Sequence, residues 1–406
     1  MNKETWDLLI VGGGPAGMTA GIYGSRSKLK TIVLEKGLTG GLAATTEELE
    51  NYPGFGRGAK GPGIMKSIRE HAEDFGVVFE KGQVTDLELD DEIKIIRTKK
   101  GQEYYAKAVV LATGANPRSL GIKGEKEFVG KGVGYCATCD ADFYEDLDVI
   151  VVGNGDAAIE EAIYLTKFAK KVTIIVIHDE GILDANKVSQ EKAYANPKID
   201  FVWNSVLNEI KGDGLVEKVV VKSLKTGELT EIETSGVFFF VGYVPNTEFL
   251  KGKVKLDDNG YITVNEKMET SVPGVYAAGD ANQKFLRQVV TATSDGAIAA
   301  FAADKYLAEE ENFKMQVIDA KEPVIVVFWT PQNEESIAAM STIEQHKDRY
   351  PNTKLVKIDL YRNHLIASKY SIEQVPTVLL FNKGEFAGRI DGKFDHADLD
   401  ALVAKL

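Results

Sequence analysis

Two apolar runs in this chain each break into a glycine turn and resume as a helix. In the first, Asp7-Leu-Leu-Ile-Val-Gly12 leads into Gly12-Gly13-Gly14-Pro15-Ala16-Gly17, and a helical pattern follows from Met18 to about Arg26. Glycine at 12 and 14 lets the backbone turn tightly and approach a pyrophosphate. Glycine at 17 lets helix and strand pack closely, and the helix N-terminus attracts the phosphate charge. A second strand, Thr31-Ile-Val-Leu-Glu35, ends in an acid at the spacing of a ribose-binding carboxylate. In the other run, Asp148-Val-Ile-Val-Val-Gly153-Asn154-Gly155-Asp156-Ala157-Ala158 precedes a helix, Ile159 to Ala169, and a strand, Lys171 to Ile177. Two such patterns, each in a strand-turn-helix-strand frame, predict an α/β chain with two Rossmann-like nucleotide-binding domains.

Further stretches belong with the first turn. Ala108-Val-Val-Leu-Ala-Thr113-Gly114 reads as a buried strand ending in a Thr-Gly turn, and Gly274-Val-Tyr-Ala-Ala-Gly279-Asp280 as another ending in Gly-Asp. One domain is therefore expected over residues 1–117, resuming at 246–310, with residues 118–245 inserted as a smaller domain.

The insert carries the only two cysteines of the 406 residues, in Cys136-Ala137-Thr138-Cys139-Asp140. Cys-x-x-Cys at the start of a helix sets two thiols about one turn apart, where they can close a small disulfide ring, and the helix N-terminus favours the thiolate. A structural disulfide with so short a loop would stabilise little. A metal site would need two further ligands, and the five histidines (His71, His178, His346, His364, His396) are scattered, so no metal is expected. Redox chemistry between two nucleotide sites implies electrons passing from one cofactor to another and then to the thiol pair. The net charge of -13 argues against nucleic acid or an anionic membrane as partner, and no apolar run spans a bilayer. The N-terminus shows no signal-peptide pattern. A cytoplasmic protein acting on a protein or small-molecule disulfide is expected.

Residues 1–310 resemble the low-molecular-weight, flavin-dependent thioredoxin reductase family. The resemblance rests on Gly12-x-Gly14-x-x-Gly17, Gly40-Gly41, Glu50-Asn51-Tyr52-Pro53-Gly54, Cys136-Ala-Thr-Cys139-Asp140, Gly242-Tyr-Val-Pro-Asn-Thr247, Gly279-Asp280 and Arg287-Gln288. It implies a homodimer with FAD in the first domain and a pyridine nucleotide in the smaller one. It also implies a dithiol in which Cys139 lies nearest the flavin, Cys136 attacks the substrate disulfide and Asp140 handles the proton. Gly12, Gly14, Pro15, Ala16, Gly17, Glu35, Gly41, Leu42, Asn51, Thr113, Gly114, Gly279, Asp280, Arg287 and Gln288 are the expected FAD contacts. Gly153, Gly155, Asp156, Ala157 and Asp179 are the expected contacts of the second nucleotide.

The chain departs from this family at two places. NADPH-using members carry a His-Arg-Arg stretch with another arginine nearby, whereas this chain reads His178-Asp179-Glu180-Gly-Ile-Leu-Asp184-Ala185. Three acids repel a 2′-phosphate that guanidinium groups would clamp, so NADPH is not the expected donor. NADH bound through Asp179, electrons arriving from ferredoxin, or a second FAD in this site remain as alternatives. Leu42 replaces the family's glutamine after Gly40-Gly41, removing a polar contact to FAD.

The helix from Thr293 to Leu307 is expected to close the reductase part, with Ala308-Glu-Glu-Glu-Asn312 as a charged linker. Residues 315–406 then resemble thioredoxin in Pro323-Val-Ile-Val-Val-Phe-Trp329, Val356-Lys-Ile-Asp359, Val375-Pro376-Thr377 with the family's cis-proline, Val378-Leu-Leu-Phe381, Gly384-Glu385 and a last helix, Asp398 to Leu406. Asn333 and Ser336 stand where that family has its two cysteines, so a docking or dimer-supporting role is expected here. The overall expectation is an FAD-dependent disulfide reductase. The competing one is a flavin-containing redox-sensing or binding protein whose thioredoxin-like module docks a partner.

Overall fold

A computed structural model of the chain describes residues 4–45, 49, 51–56, 58–345, 349–350, 352–360 and 363–406. Met1 to Lys3, Glu50 and His346 lie outside the described residues, as do the side chains of Thr138, Cys139 and His364. The chain forms two compact units, Met1–Ser271 with Tyr276–Ala299, and Val272–Val275 with Ala300–Leu406.

In the first unit the strand Thr5–Val11 lies between parallel neighbours Thr31–Glu35 and Glu103–Leu111, with Leu8 opposite Thr31 on one side and Ala108 on the other. Val78–Lys81 extends one edge in parallel, and Lys94–Thr98 and Val84–Glu88 extend the other antiparallel. Leu8, Leu9 and Ile10 are all fully buried. Both faces of this strand are therefore covered, which is why it reads as a continuous apolar run. Each such side chain contributes about 1.5–3 kcal/mol on burial. The helix Pro15–Arg26 begins on Pro15, whose ring presets the helical φ.

The insert has its own parallel sheet, in the order Ile199–Val202, Lys171–Ile175, Asp148–Val152, Gly236–Phe239, Val133–Gly134. Its glycine turn opens the helix Asp156–Leu165, which starts three residues before the expected Ile159 because Gly155 is the N-cap. An antiparallel sheet of Ser205–Lys211, Lys218–Ser223 and Leu229–Glu233 adjoins it. The chain enters and leaves the insert through a two-stranded ribbon, Ala115–Pro117 against Tyr243–Pro245.

The expected linker is helix. Val289–Phe313 is one helix, continued by a π-turn over Lys314–Ile318. Ala308 to Asn312 are good helix formers for the most part, and Phe313 (4 % exposed) and Val317 (0 %) belong to the core of the second unit with Phe328 and Phe381. The polar run is thus one face of an anchored helix, and Glu310 pairs with Lys369 at 2.7 Å. The sheet of this unit runs Lys354–Asp359, Val324–Trp329, Thr377–Asn382, Glu385–Asp391, with the first pair parallel and the others antiparallel. Alternate residues of Val324–Trp329 feed two cores, Val324, Val326 and Phe328 on one face and Ile325 and Val327 on the other. The Val375-Pro376 peptide is cis.

Candidate active site

The first glycine turn is shaped by what cannot fit there. Gly12 has φ +108°, and a Cβ on it would lie 2.2 Å from the carbonyl oxygen of Ala112. One on Gly17 would lie 1.9 Å from that of Gly12. At Gly14, by contrast, a Cβ would meet nothing within 4 Å, so space opens beside the N-terminus of Pro15–Arg26, whose first turn carries no acid. The Glu35 carboxylate accepts the Gly13 amide at 2.7 Å and the Gly37 amide at 2.8 Å, placing it beside the turn as its spacing predicts. Gly40 donates to the Gly13 carbonyl at 2.7 Å, and Gly41 lies against Gly14. Exposed Leu42 follows it.

Distant segments converge on the same turn. Ala278 donates to the Leu111 carbonyl at 2.9 Å, and a Cβ on Gly279 would come within 2.9 Å of the Ala16 Cβ. Asn51 donates to Gln288 at 3.1 Å across 237 residues of sequence. Arg287 lies 4.1 Å over the Tyr261 ring and donates to the Asp280 carbonyl at 3.5 Å. Thr113 Oγ1 and Asp280 Oδ1 are buried with no protein partner, and burial raises the Asp280 carboxyl above the usual range. Buried polar atoms of this kind call for a ligand. The open space at Gly14, the acid-free helix start and these two orphaned oxygens fit a dinucleotide such as FAD.

The redox segment sits on the insert. The strand Val133–Gly134 pairs with Val237 and Phe238 and delivers Cys136 as N-cap of the short helix Ala137–Asp140. Cys136 is disulfide-bonded, and Cys139 is the one other cysteine in the sequence. The helix is a single turn, so its dipole favours a thiolate only weakly, less than the sequence reading expects. Asp140 fills the space left at Gly134, where a Cβ would lie 3.0 Å from Oδ2. Burial lifts the Asp140 carboxyl to about 6. Tyr144 is raised to about 12, by burial first and then by the Asp140 charge. A carboxyl poised near neutrality can donate and recover a proton at physiological pH.

The second glycine turn has the same form with a different rim. Gly153 has φ +134° and would clash with the Phe240 carbonyl at 2.5 Å if it bore a Cβ, while Gly155 faces open space. Asp156, however, stands in the first turn of the helix and accepts the Asn186 amide at 2.6 Å and side chain at 2.8 Å, and Ala157 beside it is exposed. Asp184 accepts from Asn154 at 3.0 Å and lies 3.1 Å from His178 Nε2. Buried Gln190 donates to the carbonyls of Leu183 and Ala185 at 3.1 and 2.6 Å, fixing this loop. Asp179 pairs with Lys225 at 2.7 Å, and that contact holds its carboxyl below the usual range.

Sequence reasoning misses Lys225 because it comes from the turn between Lys218–Ser223 and Leu229–Glu233, far from the glycine motif. It misses Asp295 as well. This residue is buried, accepts the Gly279 amide at 2.9 Å and the Lys284 ammonium at 2.5 Å, and so braces the Gly279-Asp280 turn. An acid inside an apolar helical pattern is the available signal. Among the described residues no cluster of His, Cys, Asp or Glu is arranged to hold a metal, and no helix is long and apolar enough to cross a membrane.

In the second unit Asn333 caps the helix Glu334–Gln345, its Oδ1 accepting the Ser336 amide at 2.8 Å. Ser336 is fully buried and its hydroxyl has no partner.

Comparison with known proteins places these features. Residues 6–296 match the pyridine nucleotide-disulphide oxidoreductase family, and residues 305–405 match the thioredoxin family. The thioredoxin reductase of Peptoclostridium acidaminophilum is 53% identical over 318 residues, covering 77% of this chain and 99% of that protein. That of Bacillus subtilis (strain 168) is 42% identical over 314 residues, covering 77% of this chain and 98% of its own. The crystal structure of thioredoxin reductase from Streptococcus pyogenes MGAS5005 is 44% identical with a TM-score of 0.67, covering 75% of this chain and 98% of that one. The chain therefore belongs to the pyridine nucleotide-disulphide oxidoreductase family, as a flavoprotein disulfide reductase of the thioredoxin-reductase type followed by a thioredoxin domain.

Proposed function

We propose that the disulfide of Cys136 and Cys139 takes two electrons from FAD and passes them to a disulfide on a thioredoxin-type protein. The observation that carries this reading is the disulfide-bonded Cys136 beside a carboxyl held near neutrality. FAD would be held by Gly12 to Gly17, Glu35, Gly41, Asn51, Thr113, Gly114, Asp280, Arg287 and Gln288. When bound, it supplies a two-electron reductant for a neighbouring disulfide. Once the pair is a dithiol, the Cys136 thiolate attacks one sulfur of the substrate disulfide and expels the other as a thiolate. Cys139 then attacks the mixed disulfide, releasing the second substrate thiol and restoring the starting bond. Asp140 gives up and recovers the proton that these thiolate exchanges require.

The donor is proposed to be other than NADPH. Asp184 bonds to Asn154 of the second glycine turn, Asp179 and Glu180 belong to the same stretch, residues 178–185, and the nearby Lys225 is engaged by Asp179. A 2′-phosphate would meet net negative charge there. NADH, with Asp179 on its ribose hydroxyls, needs the fewest changes to this rim; ferredoxin or a second FAD are the alternatives. We further propose a cytoplasmic homodimer in which the thioredoxin domain docks a partner or supports assembly. Asn333 and Ser336 supply a helix cap there and no electron-carrying group. The test is an anaerobic titration of the FAD-loaded protein with NADH, NADPH and a low-potential reductant, with flavin counted per chain. Bleaching by micromolar NADPH would overturn the donor assignment. Flavin bleaching without reduction of the Cys136 disulfide would overturn the reductase reading in favour of a sensor.

A further inference from the structure

Glu125 is an ionisable side chain with 0 % exposure, and its oxygens are satisfied by neutral groups. Together they collect four donors. Oε2 accepts the amides of Gly121 at 2.7 Å and Ile122 at 3.3 Å, and Oε1 accepts the Leu120 amide at 3.2 Å and the Tyr135 hydroxyl at 2.9 Å. A buried carboxylate is tolerated when its lone pairs are filled in this way. The donors come from two pieces of chain with different duties.

Leu120 to Ile122 lie on the passage from the domain of the first glycine turn into the insert. They follow directly on the ribbon Ala115–Pro117, and Arg118 still donates to the Gly242 carbonyl of the returning chain at 2.9 Å. Tyr135 immediately precedes Cys136. Its ring packs on Phe239 at 5.7 Å between centroids, on the strand that leads back to the ribbon. The turn itself is pinned to the insert. Gly124 has φ +87°, a Cβ on it would lie 2.3 Å from the Ile210 carbonyl, and the Ile210 amide donates to the Lys123 carbonyl at 2.9 Å. One carboxylate thus ties the incoming crossover to the residue next to the redox cysteine.

The geometry points to Glu125 as a positioning residue: through the Tyr135 hydroxyl it sets where the Cys136 disulfide stands relative to the crossover between the two nucleotide domains. It acts through Tyr135 rather than on the reacting atoms. Tyr135 faces the core of Phe128, Val133 and Phe239, whereas Gly134 lies under Asp140 on the opposite side of the same strand. The staple therefore acts on the placement of the pair and leaves its proton donor alone. This inference rests on the proposal that the Cys136 and Cys139 pair accepts electrons from the flavin.

The test uses full-length, FAD-loaded protein and the substitutions Tyr135→Phe, Glu125→Gln and Glu125→Asp. Tyr135→Phe keeps the ring on Phe239 and removes only the hydroxyl. Two quantities are read at a temperature well below unfolding: the single-turnover rate at which reduced flavin is reoxidised by the disulfide, and the rate at which iodoacetamide alkylates reduced Cys136 with flavin left oxidised. Displacement of a reacting group by a fraction of an ångström to an ångström costs roughly tenfold to a hundredfold. Tyr135→Phe is therefore expected to slow flavin reoxidation by at least about tenfold and to change the alkylation rate severalfold. Glu125→Gln, whose amide turns donors toward donors, is expected to do more, and Glu125→Asp to recover part of the rate. Wild-type rates in Tyr135→Phe with only a lowered thermal midpoint would show a purely structural staple and overturn the inference. Should Glu125→Gln fail to fold, Tyr135→Phe alone decides. Failure of the underlying proposal looks different, because wild-type protein would then show no flavin reoxidation by the disulfide at all.

Discussion

Replacing Asp140 by asparagine probes the redox turn from two sides. A carboxyl ordinarily titrates near 3.9, and burial lifts that of Asp140 to about 6. At about 1.36 kcal/mol per pH unit this is a cost of roughly 3 kcal/mol for the ionised form. Below about pH 4 the carboxyl is protonated in both the folded and the unfolded chain, and the cost is absent. Between about pH 4 and 6 the folded state keeps a proton that the unfolded chain has released, so stability falls as pH rises through this window. Above it the whole cost is present. The amide of the variant would carry no charge at any pH. Asp140→Asn should therefore be more stable than the parent at pH 8 by up to roughly 3 kcal/mol, several degrees in thermal midpoint, and the gain should vanish toward pH 4. Turnover should move the other way. Loss of a positioned proton donor is expected to cost about 10²- to 10⁴-fold in kcat near pH 6, and a fall of kcat above about pH 6, expected in the parent as Asp140 loses its proton, should be absent from the variant. The assays are thermal unfolding across the pH range and kcat with a disulfide protein as substrate. A variant that folds, binds flavin, yet is less stable than the parent at pH 8 would refute the burial argument. An unchanged kcat profile would refute the proton role.

Gly17→Ala should abolish or sharply weaken FAD binding, because its Cβ would sit 1.9 Å from the Gly12 carbonyl; flavin absorbance per chain reads this out. Asp179→Arg with Lys225 retained should improve NADPH as donor at the expense of NADH, measured as the ratio of their kcat/KM values. In the second unit, Ser336→Ala should be neutral or slightly stabilising, since it removes a buried hydroxyl without a partner. Asn333→Ala should cost about 1 kcal/mol through the lost cap. Neither should alter flavin reoxidation by the Cys136 disulfide, and a large change in that rate would contradict a non-redox thioredoxin domain.

The architecture is legible where a residue's local chemistry dictates the backbone. Gly12, Gly17 and Gly153 stand where a Cβ would strike a carbonyl oxygen, and Glu35 reaches the Gly13 amide, so strand, turn and acid can be read from spacing alone. Val324 to Trp329 announces itself as a buried strand because both faces are covered. The expected linker proves helical because Ala308 to Asn312 shows only its polar face in sequence, while the residue that anchors it, Phe313, lies just beyond. Lys225 and Glu125 are invisible for a different reason. Each acts across a tertiary contact with a segment that carries the recognisable motif, and a lone acid or lysine has no periodicity to mark it. The same applies to Asn51 and Gln288, which are expected at one site, though not in mutual contact.

The central claim is that flavin and the Cys136 disulfide form one electron path. It is tested most directly by anaerobic reductive titration of the FAD-loaded protein beside its Cys136→Ser and Cys139→Ser variants, following flavin absorbance and free thiols together. Wild-type protein should take up twice the reducing equivalents of either variant, with the extra equivalents appearing as thiols before the flavin is fully bleached. Equal uptake by all three, with the wild-type disulfide still intact beside reduced flavin, would contradict the account.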